Sequence, residues 1–454
     1  MEIFHFPFKI SIFHLFIYLF YSYIHIIIIN MTDISKNIKN GTRVIKGLKW
    51  DNDKKTYYLI DNITWTDITV DEYILLQDGE TFDGNSYEIK IDDLKSTYGI
   101  FASNGSSLNN GPIIKKLSVS GNVSTSGLYG GGGIMRLGQK SFTIENCSFT
   151  GIISASCGGI SGSNTGMGGE CLIYRCFTSG SIGDHAGGIV GSCSTSTNIC
   201  ICTIYECYST GSISPTHGYG GGICGSYAGG GPFGGSYIIY NCYSTGSIGP
   251  FGGGICGANT GEFGTCTIYN CYSVGDITSG GGICGYYNDS ASSGIVNINS
   301  CYSLGNISGQ SGITGGGIVG QCHQSNYTIT VSDCYSIGTV NQYANGICGD
   351  LNATGTTITI TRCYSSGMVY SGSNSIGTKT SLGTLTISNC YGVQFNGTTI
   401  YSLDNISEKR GVLINSVWDH GNSKKYPYPK LKAFKYPPWK SSKYEIYIDK
   451  AQLD

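Results

Sequence analysis

Residues 253–285 read GGICGANTGEFGTCTIYNCYSVGDITSGGGICG, and the same pattern returns along most of the chain. Aligned on Cys271, the segment belongs to a nine-fold series: ENCSFTG, YRCFTSG, YECYSTG, YNCYSTG, YNCYSVG, NSCYSLG, SDCYSIG, TRCYSSG and SNCYGVQ. The aligned cysteines are Cys147, Cys176, Cys207, Cys242, Cys271, Cys301, Cys334, Cys363 and Cys390, spaced 27 to 35 residues apart. A core of constant length with insertions of variable length is what a stacked coil with loops on one side produces.

The alignment exposes a period of two. Three residues before each cysteine stand Ile144, Ile173, Ile204, Ile239, Ile268, Ile298, Val331, Ile360 and Ile387. Five before it stand Phe142, Cys171, Cys202, Tyr237, Cys266, Val296, Ile329, Ile358 and Leu385. Apolar residues on alternate positions, with variable residues between, mark short strands buried on one face. Parity breaks between the isoleucine and the cysteine, so the residue between them must turn a corner. In several coils that residue is Asn or Asp (Asn146, Asn241, Asn270, Asp333, Asn389), types that tolerate the left-handed conformation of a tight corner. A Gly-Gly-Ile signature closes each unit, with Ile160, Ile189, Ile223, Ile255, Ile283, Ile318 and Ile347 as its apolar residues. In the last of these Asn345 replaces the first glycine. An earlier coil runs through Ile114, Leu117, Gly121, Val123 and Gly132-Gly133-Ile134, with Leu117 in the cysteine slot. That slot therefore asks for an apolar filler rather than a thiol as such.

Units of this length with short strands and no helical periodicity predict an all-β fold. The expected architecture is a right-handed parallel β-helix solenoid of about ten coils with N- and C-terminal caps. At ~4.8 Å per coil, ten coils make a rod roughly 45–50 Å long. Propeller blades are longer, and no leucine period supports a leucine-rich repeat. Four regions follow: a hydrophobic segment at 1–30, an N-terminal cap with degenerate first coils at 31–109, the Gly/Cys-rich repeats at 110–394, and a Lys-, Pro- and Trp-bearing cap at 395–454.

Composition agrees with a single repetitive core. Of 454 residues, 70 are Gly and 9 Pro, without the three-residue period of collagen. Aromatic residues at 12% argue against disorder. A net charge of −2 gives no global field to attract nucleic acid, and no nucleic-acid partner is expected. From Ile10 to Ile29 the chain carries no Asp, Glu, Lys or Arg, enough to cross a bilayer as a helix. Two readings stand for residues 1–30: a membrane anchor through 10–29, or an upstream extension before the polar sequence that starts at Met31. The first places the protein on a membrane or particle surface; the second leaves a soluble chain of unassigned compartment.

The cysteine ladder invites metal or disulfide readings. Zinc sites want compact, convergent thiols, yet Cys-x-x-Cys is absent and Cys-x-Cys occurs once, at Cys200 and Cys202. Parallel side chains one coil apart also sit at the edge of disulfide geometry. Buried thiols acting as small hydrophobes are the simpler expectation, with no metal or cofactor. Behind the cysteines runs a tyrosine ladder: Tyr208, Tyr243, Tyr272, Tyr302, Tyr335, Tyr364 and Tyr391. If cysteine points in, alternation sends tyrosine out, where an exposed aromatic strip suits a glycan or protein partner. The alternative is self-stacking that stiffens the sheet. No catalytic residue is assigned. Asp184, Asp276, Asp289, Asp333 and Asp350 fall in different registers, unlike the paired carboxylates of polysaccharide-active enzymes, and read as solvated loop charges.

The Gly-Gly-aliphatic-x-Gly pentad followed by IIYNCYSTGSI (residues 238–248) resembles the GLUG-type repeat over roughly residues 110–394. Trp418, Tyr428, Pro429 and Leu431 resemble the closing segment that follows such repeats. The strand-centre cysteine is a departure from that pattern. The resemblance implies a pectin-lyase-like parallel β-helix, of the kind found in surface adhesins and in repeat proteins of large DNA viruses and protists. In peptidases carrying such repeats they are appendages, and this chain lacks His-Glu-x-x-His. The expected function is a non-catalytic, surface-displayed repeat protein acting in adhesion or in protein or glycan interaction. The alternatives are a polysaccharide-active β-helix enzyme and an orphan repeat protein without a partner.

Overall fold

A computed structural model describes residues 32–392, apart from 66–71, 92–95, 127–128, 137, 194–198, 217, 232–233, 289–292, 324, 371–372 and 380–381, together with residues 395–396, 399–400, 418–419 and 430–431. The hydrophobic segment at 1–30 and most of the expected C-terminal cap lie outside the described residues.

The chain winds into a parallel β-solenoid of about ten turns. Each coil gives one strand to each of two thirteen-stranded sheets. The first sheet runs from Leu48–Asp51 to Thr384–Ser388, and the second from Ile63–Trp65 to Tyr391–Gly392. A third side is held by parallel bridges between successive Gly-Gly-Ile segments, among them Gly221 to Gly253 to Gly281 and Cys224 to Cys256 to Cys284.

Register follows the alignment. Ile144, Ile173, Ile204, Ile239, Ile268, Ile298, Val331, Ile360 and Ile387 lie directly above one another in the first sheet. All but the last are at most 1% exposed; Ile387, on the final coil of the sheet, is 43% exposed. The column continues upstream through Ile114, Phe82 and Tyr57, so strands at Thr56–Leu59 and Thr81–Asp83 stack beneath the recognisable repeats. Below them Leu48–Asp51 pairs antiparallel with Thr56–Leu59.

The corner expected between isoleucine and cysteine is present on every coil. Lys116, Asn146, Arg175, Glu206, Asn241, Asn270, Ser300, Asp333, Arg362 and Asn389 all take φ of 52–54°. Half of these are not Asn or Asp, so the stack imposes the left-handed turn even where the residue type resists it. Four residues after each ladder cysteine from Cys147 to Cys363 the backbones of consecutive coils nearly touch: a Cβ on Gly275 would lie 1.9 Å from the Gly246 carbonyl oxygen. Only glycine fits that position.

Candidate functional surfaces

The nine ladder cysteines face the interior, and all but the half-buried Cys390 are buried. Their thiols serve the corner. Cys271 Sγ lies 3.3 Å from the Tyr269 carbonyl oxygen and 3.7 Å from that of Ile239, and its S–H is shared between the two. Cys147, Cys176, Cys207, Cys242, Cys301, Cys334 and Cys363 repeat the arrangement. The corner carbonyl already accepts a backbone N–H from the neighbouring coil, as Tyr269 does from Asn241 at 3.3 Å, and the thiol adds a weak second donor without the cost of a buried hydroxyl. Burial pushes the thiols of Cys147, Cys207, Cys271 and Cys363 well above the ordinary thiol range, which leaves them protonated and inert.

A second line of thiols lies on the Gly-Gly-Ile side. Cys224, Cys256, Cys284 and Cys348 share one interior register, which Val190 and Val319 also occupy. Exchange with valine marks it as packing. One disulfide forms, Cys171–Cys202, between strands on consecutive coils with Cα atoms 4.7 Å apart. The other eighteen cysteines are free. Among the described residues, no group of three or more His, Cys, Asp or Glu side chains is arranged to hold a metal ion.

The expectation of a solvent-exposed tyrosine strip is corrected, and the self-stacking alternative is what the ladder forms. Tyr243, Tyr272, Tyr302, Tyr335 and Tyr364 are only 1–7% exposed and form an apolar cluster of their own, apart from the main core. Alternation does send them off the core, as expected. Their rings then stack on one another at 4.8–5.0 Å with interplanar angles of 0–5°. Each ring covers its neighbour's face, and Val274, Leu304 and Ile337 pack alongside. The stack continues through the half-buried Tyr208, at 4.9 Å from Tyr243, to Phe177 at 5.1 Å; the side chain of Tyr391 is outside the described residues.

A different aromatic column reaches the surface. Tyr174, Tyr205, Tyr240 and Tyr269 stand two residues before their cysteines on the outer face of the first sheet. They are half-buried and stack at 4.9 Å. Tyr174 donates its hydroxyl to Glu145 on the coil below. Their signal in the sequence is the tyrosine of YRC, YEC and YNC, two residues before the cysteine. A third column, His185, Tyr219 and Phe251, stacks at 4.6–4.8 Å on the corner before Gly-Gly-Ile.

The acidic residues serve separate local tasks. Asp333 is not a solvated charge: its side chain is 3% exposed and pairs with Arg362 of the next coil at 2.6 Å. Asp276 accepts the Asn306 amide, and Asp350 accepts from Thr314 and Asn345. Asp184 lies 3.8 Å from His185, and Asp289 is outside the described residues.

No helix among the described residues is long and apolar enough to cross a membrane. No protein-family model matches the sequence, the GLUG repeat included, and no curated protein matches it. A solved structure described as a "putative immunoglobulin A1 protease from Bacteroides ovatus" aligns with 15% identity and a TM-score of 0.23, over 83% of this chain and 86% of that one.

Proposed function

We propose that the chain is a non-catalytic GLUG-like repeat protein, displayed on a surface and acting in adhesion through a glycan or protein partner. The observation that carries this reading is the half-exposed column of Tyr174, Tyr205, Tyr240 and Tyr269 on the outer face of the first sheet. Ring edges and hydroxyls presented at a fixed spacing on a rigid sheet suit lateral contact with an extended partner, because little ordering entropy is lost on binding. The local engagement of Asp276, Asp333 and Asp350 within the solenoid supports a structural use of its carboxylates.

The test is binding of the full chain to a glycan array and to candidate surface proteins, beside a Tyr205→Ala/Tyr240→Ala variant. The reading expects retention that falls at least tenfold in the variant. Equal retention by both, or hydrolysis or eliminative cleavage of an arrayed polysaccharide, overturns it. Anchoring through residues 10–29 belongs to the same proposal. It is tested by whether the full chain sediments with membranes while a chain starting at Met31 does not.

A further inference from the structure

The outer face of the first sheet changes character along the rod. In the early coils its outward positions carry Lys115, Glu145, Glu170, Leu172 and Ile201 beside the tyrosines. In the last three coils charge and bulk disappear. Thr328 and Thr330 stand on one strand, Thr357 and Thr359 on the next, Thr384 and Thr386 on the last. Their registers are direct: Thr328 over Thr357 over Thr384, and Thr330 over Thr359 over Thr386. A flanking hydroxyl column follows at Ser332, Thr361 and Ser388.

The inward neighbours Ile329, Val331, Ile358 and Ile360 are fully buried, so alternation turns Thr328, Thr330, Thr357 and Thr359 outward; Thr384 and Thr386 continue the same register on the final strand, where Leu385 is half-buried and Ile387 exposed, and each of the six is half-exposed or exposed. Among the described residues none of the six hydroxyls has a hydrogen-bond partner. On the first two of these coils Tyr335 and Tyr364 stack at 5.0 Å with rings within 3° of parallel, so those two coils are neither twisted nor splayed against each other. Identical hydroxyl–methyl pairs therefore recur at about 4.8 Å across the strands and about 6.7 Å along them. Threonine is stiff at χ1, so the groups hold their places without a ligand. Strand propensity alone would be met equally by Val or Ile, which would leave no hydroxyls in rank.

A small flexible ligand is gripped by a few convergent polar groups, not by a repeating plane. A plane that repeats in two dimensions, carries no charge and offers both a donor and an acceptor at each point fits a partner that is itself periodic, uncharged and hydrogen-bonded throughout. We propose that the threonine face of the last three coils binds ice. Its spacings approximate those of water oxygens on the faces of hexagonal ice. Hydroxyls continue the water network, while methyls space the ranks and leave ordered water bridging between them. Three coils cover only about 10 Å by 13 Å, which suits adsorption to crystals and slowed recrystallisation rather than a large freezing-point gap. This site is independent of the tyrosine column.

Ice is grown slowly from a dilute solution of the full chain mixed with serum albumin, and both proteins are measured in ice and liquid. The expected result is several-fold enrichment of the chain in ice over albumin. Thr359→Tyr or Thr330→Tyr, each a strand-compatible ring in the middle of the array, returns partitioning to the albumin level with an unchanged circular dichroism spectrum. Thr203→Tyr, in the same column but outside the array, keeps the enrichment. Exclusion of the unaltered chain from ice overturns the proposal whatever the variants do. So does enrichment that survives both central substitutions. Adsorption to microcrystalline chitin or cellulose that the same substitutions abolish, with no enrichment in ice, assigns the array to a crystalline polysaccharide and equally overturns it.

Discussion

Gly254 meets Ser273 across the narrow interior of its coil so closely that a Cβ on the glycine would lie 2.5 Å from the serine Cβ. The contact recurs at Gly282 and Ser303, Gly317 and Ser336, and Gly346 and Ser365, at 2.5–2.6 Å. Here the Gly-Gly pair is a matter of width: the third side of the coil comes down directly on the second sheet, and a methyl has no room.

Gly254→Ala is therefore expected to lower stability by about 1–3 kcal/mol, the usual range for forcing a methylene into a packed interior. Ser273→Gly on top of it should recover part of the loss, because the two sites share one gap. Denaturant unfolding of the two single variants and the double checks this. Strict additivity would show that the Gly282 carbonyl oxygen, 2.1 Å from the same Cβ position, sets the limit rather than Ser273.

The two corner ion pairs should behave differently. Arg362 reaches a carboxylate, Asp333, that is 3% exposed, whereas Arg175 and Glu206 are 53% and 25% exposed. Arg362→Ala is expected to cost about 2–4 kcal/mol by leaving a buried carboxylate without its guanidinium. Arg175→Ala should stay within about 0.5 kcal/mol. Thermal melts at low and high salt distinguish the two, and equal effects would refute the burial argument.

Alkaline pH should unfold the solenoid steeply. Burial pushes the Cys157 thiol up from 9.0 to about 12, and it raises the Cys348 thiol as well. The folded state keeps protons that the unfolded chain releases above its ordinary thiol range. Stability is thus complete below pH 9.0 and falls as pH climbs toward 12. Each such thiol contributes a slope of about 1.4 kcal/mol per pH unit in that window. Melting temperatures from pH 7 to 11 provide the test, and a flat profile would contradict it. A thiol reagent added to the native protein at neutral pH should label the half-buried Cys390 ahead of every other ladder cysteine.

Lys116 holds the left-handed corner at φ 52° with its side chain exposed, where five other coils use Asn or Asp. Lys116→Asn should raise stability by about 0.5–1 kcal/mol, since asparagine tolerates this conformation better than lysine. A lowered midpoint of unfolding would mean that Lys116 contributes something beyond its backbone.

Much of this was legible beforehand for a simple reason. The interior of a solenoid is one column, so a slot such as that of Ile268 recurs with the period of the coil and shows itself by repetition. The corner was legible through a break in parity, and the fold class through unit length. The first coils were harder to read, because Tyr57 and Phe82 fill the column with other side chains and lack the cysteine that marks the register. Self-stacking of the tyrosine ladder was legible as one of two readings, but which tyrosines meet solvent was not, since exposure depends on what stacks above and beside a ring, and those neighbours lie a whole coil away in sequence.

What the amino-acid order determined by itself is the winding: alternation sets which side chains go inward, glycine and asparagine set where the chain bends, and the repeat sets the stacking. What only the tertiary structure decided is which outward residues meet solvent, that Cys171 and Cys202 form a disulfide while the eighteen other cysteines do not, and that threonines from three coils fall into one register. The first kind of information is local and periodic along one chain. The second depends on distances between coils that variable loops bring into register, and no pattern within a single repeat contains them.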